Sequence, residues 1–201
     1  MPSWIPFALF AIVASITPGP TNLLILHQGL HHGFRRTLPA VIGASLAAAA
    51  LVLLVGLGLG QLLTSRPYAS LALSWLGVVW LSWLAWRLYH APAPSTERTE
   101  GTLAPNFGAR QAAILQLINP KTWLMALAVV GVFAPQHATP VAIGGLAALF
   151  ATLAMPCLAA WGAMGDGAAR LLRSPAQWRL FNRALALVLL LVAWWSVLMP
   201  G

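Results

Sequence analysis

The sequence predicts an all-α integral membrane protein with six transmembrane helices, arranged as two inverted three-helix repeats. Three observations predict this fold class. The chain is 60% hydrophobic and only 7% charged, its apolar residues fall into six runs, and two of those runs are interrupted by proline motifs at corresponding positions. Because soluble domains contain about 25% charged residues, lipid is the expected solvent for most of this surface.

Each apolar run is long enough to cross a bilayer, which requires about 20 residues. The runs cover approximately residues 4–28, 38–61, 68–89, 107–133, 139–164 and 181–199. A polar, proline-rich linker at about 91–106 divides the chain near its midpoint. We therefore expect a single membrane domain over 1–201, with repeat one at about 1–90 and repeat two at about 107–201. No removable signal peptide is expected, because the N-terminus has no basic region.

Basic residues concentrate in alternate connectors between the runs. Nine lie in the first, third and fifth connectors, whereas the second contains Arg66 alone. The positive-inside rule therefore predicts that both termini face the periplasm. Because the basic residues form no stripe, their net charge of +8 does not indicate nucleic-acid binding. The nine are Arg35, Arg36, Arg87, Arg98, Arg110, Arg170, Arg173, Arg179 and Arg183.

The first run contains the motif TPGP at residues 17–20. Proline removes a backbone donor and blocks the carbonyl four residues earlier. In lipid, the freed groups are tolerated only where protein or a water-filled cavity satisfies them. The motif therefore predicts a break, after which Thr17 or Gly19 caps a new half-helix with Pro18 or Pro20 in its opening turn.

The fourth run has a matching break, at which Asn119 is the expected cap and Pro120 the first helical residue. Pro18 and Pro120 are 102 residues apart, half of the chain, and a threonine follows each break. Discontinuous helices at corresponding positions are typical of transporters built from inverted repeats. A single break is equally typical of an ordinary proline kink, but the matched pair favours a polar site at the midplane. Both half-helix N-termini would attract an anion.

Lys121 lies in the first turn of the second half-helix. A cation at mid-span costs roughly 2.5–3.5 kcal/mol on insertion scales, and the N-terminal end of a helix dipole repels it. No acidic residue lies clearly within a run, and Asp166 falls near the cytoplasmic end of the fifth. We therefore expect a bound anion to neutralise Lys121, whereas the alternative is a side chain that extends to the interface.

At these residues the sequence resembles the LysE/RhtB family of bacterial amino-acid exporters. The resemblance rests on the stretches at 17–26, 29–46 and 108–123 and covers nearly the whole chain. It implies an efflux protein of the bacterial plasma (inner) membrane, driven by the proton gradient. The family motif falls on Thr17, Pro18, Gly19, Pro20, Asn119, Pro120 and Lys121.

Many relatives carry an acidic residue in the second span, where this chain has alanines at 47–50. Asp166 and His27, with His31 and His32 beside it, are the remaining titratable candidates for proton coupling. Without that acid, a cationic side chain would lack a counter-charge, so we expect neutral amino acids as substrates.

In such a site Lys121 and the half-helix N-termini would bind the substrate carboxylate. Carbonyls near Ile16 and Ile118, and the side-chain amides of Asn22 or Asn119, would bind its ammonium group.

A permease for another small anion or a metal ion is the alternative function. Metal transport is disfavoured because the runs contain no cluster of metal-ligating side chains. We expect no enzyme and no cofactor, because no convincing nucleophile–base pair is present and the single Cys157 cannot form a disulfide or thiol relay. The expected partners are the lipid bilayer and the substrate, and a homo-oligomer is left open.

Overall fold

The computed structural model describes residues 4–60, 67–91, 107–135, 137–172 and 174–198. Arg66, Arg98, Arg173 and most of the linker at about 91–106 lie outside these residues. Within the described residues the secondary structure is helical and contains no strand.

Eight α-helices follow one another along the described chain. Several begin at a proline, which suits the first helical position because its fixed φ fits the helix and its missing N–H would be unpaired there anyway. A short π-helical turn, Val55–Leu59, extends the third helix. The helices are α1 (Trp4–Ile16), α2 (Pro20–His32), α3 (Phe34–Leu54), α4 (Pro67–Tyr89), α5 (Ala109–Ile118), α6 (Pro120–Phe133), α7 (Pro140–Leu171) and α8 (Pro175–Leu198).

Three stretches of continuous helix are long and apolar enough to cross a membrane, namely Phe34–Leu59, Pro140–Leu171 and Pro175–Trp195. Two further spans arise if each bent pair of helices is counted as one, which gives up to five in the described residues. The helix α4 has 23 residues but is not among them, so the sixth span and the inverted-repeat relationship stay predictions.

The bent pairs are the two runs in which the sequence predicts breaks. The axes of α1 and α2 differ by 59°, and those of α5 and α6 by 71°. This prediction of two broken helices is confirmed. The bends occur at Gly19 and Asn119, where an extended backbone conformation precedes a proline.

Glycines bring α2 against α7 and α3 against α5. A Cβ added to Gly29 would lie 2.1 Å from the carbonyl oxygen of Gly162, and one added to Gly165 would lie 2.0 Å from that of Leu26. At the second crossing, a Cβ on Gly43 would lie 2.3 Å from the carbonyl oxygen of Ala109. These helices approach too closely for a larger side chain, as is common in membrane bundles.

Two apolar clusters enclose the middle of the bundle. One contains the fully buried Phe7 and Phe150 together with small residues of α3. The other joins Ile25 of α2 to Val41 of α3 and Leu158 of α7. The broken helices meet between these clusters, where polar side chains replace apolar ones.

Candidate functional site

The two breaks are capped in different ways. Asn119 caps α6, because its side-chain oxygen accepts a hydrogen bond from the backbone N–H of Lys121 at 3.1 Å. Gly19 caps α2 without a side chain, and Pro20 is the first helical residue. The hydroxyl of Thr17 donates instead to the carbonyl of Val13 in α1. Of the two caps considered for the first break, Gly19 is therefore the one adopted.

Three carbonyls at and just beyond the end of α1 accept hydrogen bonds from side chains of other elements. Asn22 Nδ2 donates to Ser15 O at 2.8 Å, and Trp161 Nε1 donates to Ile16 O at 3.0 Å. Lys121 Nζ donates to Thr17 O at 2.6 Å. The break is thus tolerated because the protein supplies the donors that a continuous helix would have provided.

The partner of Lys121 is therefore a helix C-terminus. Its ammonium group meets the negative end of the α1 dipole, which offsets its unfavourable position at the N-terminus of α6. The aliphatic stem lies against Gly19, where an added Cβ would be 3.0 Å from Lys121 Cδ and 3.1 Å from Nζ. A larger residue at Gly19 would disturb this contact.

The second break is packed against α4. Trp123 Nε1 donates to the carbonyl of Leu117 at 2.7 Å. The adjacent carbonyl of Ile118 faces Gly77, where a Cβ would lie only 2.4 Å from the oxygen. Because only glycine fits, α4 approaches the backbone of the break directly.

A buried side chain, Gln116, joins both breaks. Its Oε1 accepts hydrogen bonds from the hydroxyls of Thr21 at 3.0 Å and Thr122 at 2.7 Å. Its Nε2 donates to the carbonyl of Ala44 in α3 at 3.2 Å. Asn119 Nδ2 completes the network by donating to Thr21 Oγ1 at 3.3 Å. The threonines that follow the two breaks thus converge on a single oxygen atom.

A small polar cavity lies beside this network. Its volume of about 30 Å³ is about that of one or two water molecules and far below the roughly 300 Å³ of a typical ligand pocket. The site is therefore closed to a molecule the size of an amino acid. The polar residues lining it are Ser15, Thr21, Asn22, Gln116, Asn119, Lys121 and Thr122.

Of the residues predicted to bind substrate, Asn22, Asn119 and Lys121 line the cavity. The backbone of Thr17 reaches it through the carbonyl bound to Lys121. Pro20 and Pro120 are buried at the helix starts, whereas Pro18 is exposed. The prolines therefore shape the breaks rather than line the cavity.

The two residues predicted for proton coupling lie elsewhere. Asp166 forms an ion pair with Arg170 at 3.1 Å and lies near Gly33, in the turn between α2 and α3. The ring of His27 lies against that of His31, with centroids 4.2 Å apart and planes tilted by 45°. Neither side chain lines the central cavity, so in this arrangement neither contacts the polar network.

Sequence reasoning did not select Gln116 or Trp161 as site residues. Gln116 carried a signal, because it is an amide inside an apolar run three residues before Asn119. Trp161 carried none, because its position relative to Ile16 depends on how α7 packs across α1.

The fold and the site together define a class of protein. Apolar helices, of which two are broken and meet at a buried polar cavity, are the architecture of a membrane transporter. The chain belongs to the LysE type translocator family, whose model matches residues 12–199.

Named relatives come from bacteria. The chain is 29% identical to the cysteine/O-acetylserine efflux protein of Escherichia coli strain K12 over 188 residues, 93% of each chain. It is 31% identical to the cysteine/O-acetylserine efflux protein of Escherichia coli O1:K1, also over 188 residues and 93% of each chain. A Vibrio cholerae uncharacterised membrane protein is 32% identical over 126 residues, 62% of each chain. No solved structure matches.

Proposed function

We propose that this protein exports neutral amino acids across the plasma membrane of a bacterium, driven by the proton-motive force, by alternating access around the cavity between the two breaks. The observation that carries the proposal is the contact between the breaks: the ammonium of Lys121, in the second, is bound by the carbonyl of Thr17, in the first. A lysine within a membrane span is costly and usually functional, and this half-buried one is the cation that joins the two breaks.

An amino-acid zwitterion carries one positive and one negative group, and each can bind one of the two partners in this contact. The ammonium group of the substrate would replace Lys121 at Thr17 O. The released Lys121 would then bind the substrate carboxylate near the N-terminus of α6, where the positive end of the helix dipole also favours an anion. Every charged group keeps a partner throughout the exchange, which avoids the cost of an unpaired buried charge.

The lining of the cavity favours a neutral side chain on the substrate. It contains one cationic residue, Lys121, and no carboxylate. Asp166 is directed to Arg170 instead. A lysine or arginine substrate would therefore add a positive charge without a counter-charge. The relatives in Escherichia coli are named for cysteine and O-acetylserine, both of which have uncharged side chains at neutral pH, and this supports the same substrate class.

Alternating access would require each apolar cluster to open in turn. The cavity is lined by Ala48 and Phe150 of one cluster and by Leu158 of the other. Because the cavity is closed to an amino acid in this arrangement, the two clusters are natural inner and outer barriers. Rocking of one half of the bundle against the other would separate one cluster while the other stays packed.

Counterflow in proteoliposomes tests the substrate class. Vesicles loaded with unlabelled cysteine, serine, threonine, leucine, lysine or arginine would be diluted into the same labelled compound. Neutral amino acids should accumulate transiently, whereas lysine and arginine should not. Vesicles containing the Lys121→Gln variant are the control for carrier-mediated exchange. Faster counterflow of lysine or arginine than of every neutral amino acid would refute the proposed selectivity and direct attention to Asp166.

Proton coupling needs a separate measurement. An imposed proton gradient should accelerate net efflux of the preferred amino acid, and a protonophore should abolish the acceleration. Asp166→Asn and His27→Gln test the two coupling candidates. The variant that lacks the coupling residue should no longer respond to the proton gradient. Its counterflow should persist, because counterflow needs no net driving force.

A further inference from the structure

A second cavity, larger than the central one and mostly apolar with a few polar side chains in its wall, lies among α2, α4 and α5. Its volume is about 230 Å³, equivalent to about eight water molecules and comparable to a small amino acid of about seven to ten non-hydrogen atoms. Its walls carry the polar side chains of His27, Gln28, His32, Arg87 and Gln111, next to the indoles of Trp80 and Trp83.

The lining residues place this cavity at one end of the bundle. They come from the last turns of α2, the last turns of α4 and the first turn of α5. These ends adjoin the first and third connectors, which the positive-inside rule assigns to the cytoplasm. For an exporter, this is the side from which substrate enters.

Arg87 is the group in this cavity best suited to an anion. Its guanidinium lies over the ring of Trp83, 4.9 Å from the centroid, which fixes its position at the wall. No carboxylate among the described residues neutralises Arg87, because the one described ion pair joins Asp166 to Arg170. A guanidinium binds a carboxylate through two parallel hydrogen bonds.

An unpartnered histidine nitrogen provides a second, independent observation. His27 lines the cavity, and its Nε2 atom is buried without a hydrogen-bond partner. Buried polar atoms are nearly always paired, so a missing partner indicates a group that a ligand would satisfy. The ammonium of a zwitterion bound to Arg87 would be such a donor once the His27 ring turns toward the cavity with its proton on Nδ1, because Nε2 is closed to water in this arrangement.

Two helices lead from this cavity to the central one. On α2, Leu24 lines the outer cavity, while Thr21 and Asn22 line the central one. On α5, Gln111 lines the outer cavity and Gln116 lines the central one. Leu24 packs with Leu115 of α5 in a third apolar cluster, which with the cluster of Ile25, Val41 and Leu158 would form the barrier between the two cavities.

We propose that this cavity is a cytoplasmic loading site, in which Arg87 binds the carboxylate of the amino acid before the substrate passes Leu24 and Leu115 to reach Lys121. The proposal rests on the proposed function, because it assumes that the transported molecule is an amino acid. Replacing Arg87 should therefore weaken substrate binding at the cytoplasmic face only, whereas replacing Lys121 should impair transport from both faces.

Transport kinetics from each face test the loading site. Initial uptake rates would be measured in inside-out vesicles, which expose the cytoplasmic face, and in right-side-out vesicles. Arg87→Gln should raise the apparent KM at the cytoplasmic face about tenfold or more, as expected for loss of a charge-assisted hydrogen bond. The maximal rate and the KM at the periplasmic face should stay unchanged. Arg87→Lys, which keeps the charge, should be impaired less.

The matched control is Arg110→Gln, which removes one exposed basic residue from the same end of the bundle without altering the cavity lining. An equal rise in KM in this control, or an equal rise at both faces, would overturn the loading site. An unchanged KM in Arg87→Gln, with normal transport by the wild type, would refute this inference alone. Absence of amino-acid transport by the wild type would refute the proposed function and this inference with it.

An anionic lipid headgroup is the competing ligand, because basic pockets on the cytoplasmic side of membrane proteins bind such groups. Reconstitution in phosphatidylcholine alone, and in phosphatidylcholine with phosphatidylglycerol, separates the two ligands. A KM defect of Arg87→Gln that is equal in both lipids supports the substrate carboxylate. A defect that disappears in phosphatidylcholine alone would assign Arg87 to the lipid and overturn the proposal.

Discussion

The ammonium nitrogen of Lys121 lies 2.6 Å from the carbonyl oxygen of Thr17, although the two residues are 104 positions apart in the chain. The contact joins the two helix breaks and gives a half-buried cation a partner without any carboxylate. In the proposed transport cycle the same two groups bind the zwitterion: the ammonium of Lys121 binds its carboxylate, and the carbonyl oxygen of Thr17 binds its ammonium group.

Replacing Lys121 tests this contact directly. Lys121→Gln removes the charge but keeps a polar side chain, so transport should fall at least about tenfold, corresponding to loss of a charged hydrogen bond of about 1.5–3 kcal/mol. Lys121→Arg should keep more activity, because the charge remains and only its shape changes. Counterflow and equilibrium binding of labelled substrate measure the effects. Wild-type affinity in Lys121→Gln would exclude the proposed role.

The prolines of the breaks should be needed for transport but not for membrane insertion. Pro120 keeps Asn119 out of the α region, at φ −87° and ψ 110°. In Pro120→Ala, and likewise in Pro18→Ala, the helix can continue and regain a donor. We expect normal amounts of protein in the membrane and strongly reduced transport. Full activity of both variants at equal expression would show that the breaks are incidental.

Gln116 should be needed for stability as well as for transport. Gln116→Ala leaves the hydroxyls of Thr21 and Thr122 and the carbonyl of Ala44 without their shared partner. Each unsatisfied buried group costs about 1–3 kcal/mol, so the variant should unfold at a clearly lower temperature in detergent. Arg110→Ala, at an exposed position of the same helix, is the control. A similar Tm in both variants would contradict the proposed network.

The packing of α2 against α7 predicts opposite outcomes for two nearby glycines. A Cβ at Gly165 would lie 2.0 Å from the carbonyl oxygen of Leu26, whereas a Cβ at Gly167 meets nothing within 4 Å. Gly165→Ala should therefore lower the Tm sharply. Gly167→Ala should leave it equal or slightly higher, because alanine is the better helix former by about 1 kcal/mol. Equal melting temperatures would show that the helices do not cross at Gly165.

The predicted orientation can be tested by cysteine labelling in a Cys157→Ala background. His137→Cys lies in the connector between α6 and α7, and Ala176→Cys lies at the start of α8; both positions are exposed. An impermeant maleimide added to intact cells should label the first and not the second. The reverse pattern would invert the topology, and labelling of both would contradict an odd number of crossings between the two positions.

The sequence by itself determined the helices and the positions of their breaks. A proline acts on its own residue and on the residue before it, so the breaks before Pro20 and Pro120 followed from local covalent geometry. The cap at Asn119 was readable for the same reason, whereas the choice of Gly19 over Thr17 depended on the conformation that the chain adopts there. The apolar runs likewise predicted a membrane protein, because burial in lipid depends on composition.

Only the tertiary structure decided which groups meet at the breaks. The sequence indicated that Lys121 requires a partner and predicts a bound anion; the structure adds a partner within the protein, the carbonyl of Thr17. The donation of Trp161 to Ile16 and the convergence of two threonines on Gln116 were likewise invisible. The contacts of Thr21 with Gln116, of Lys121 with Thr17 and of Trp161 with Ile16 join residues 95 to 145 positions apart, and no local rule determines how such distant helices pack. Proline and hydropathy could therefore place the breaks, while helix packing selected the atoms that satisfy them.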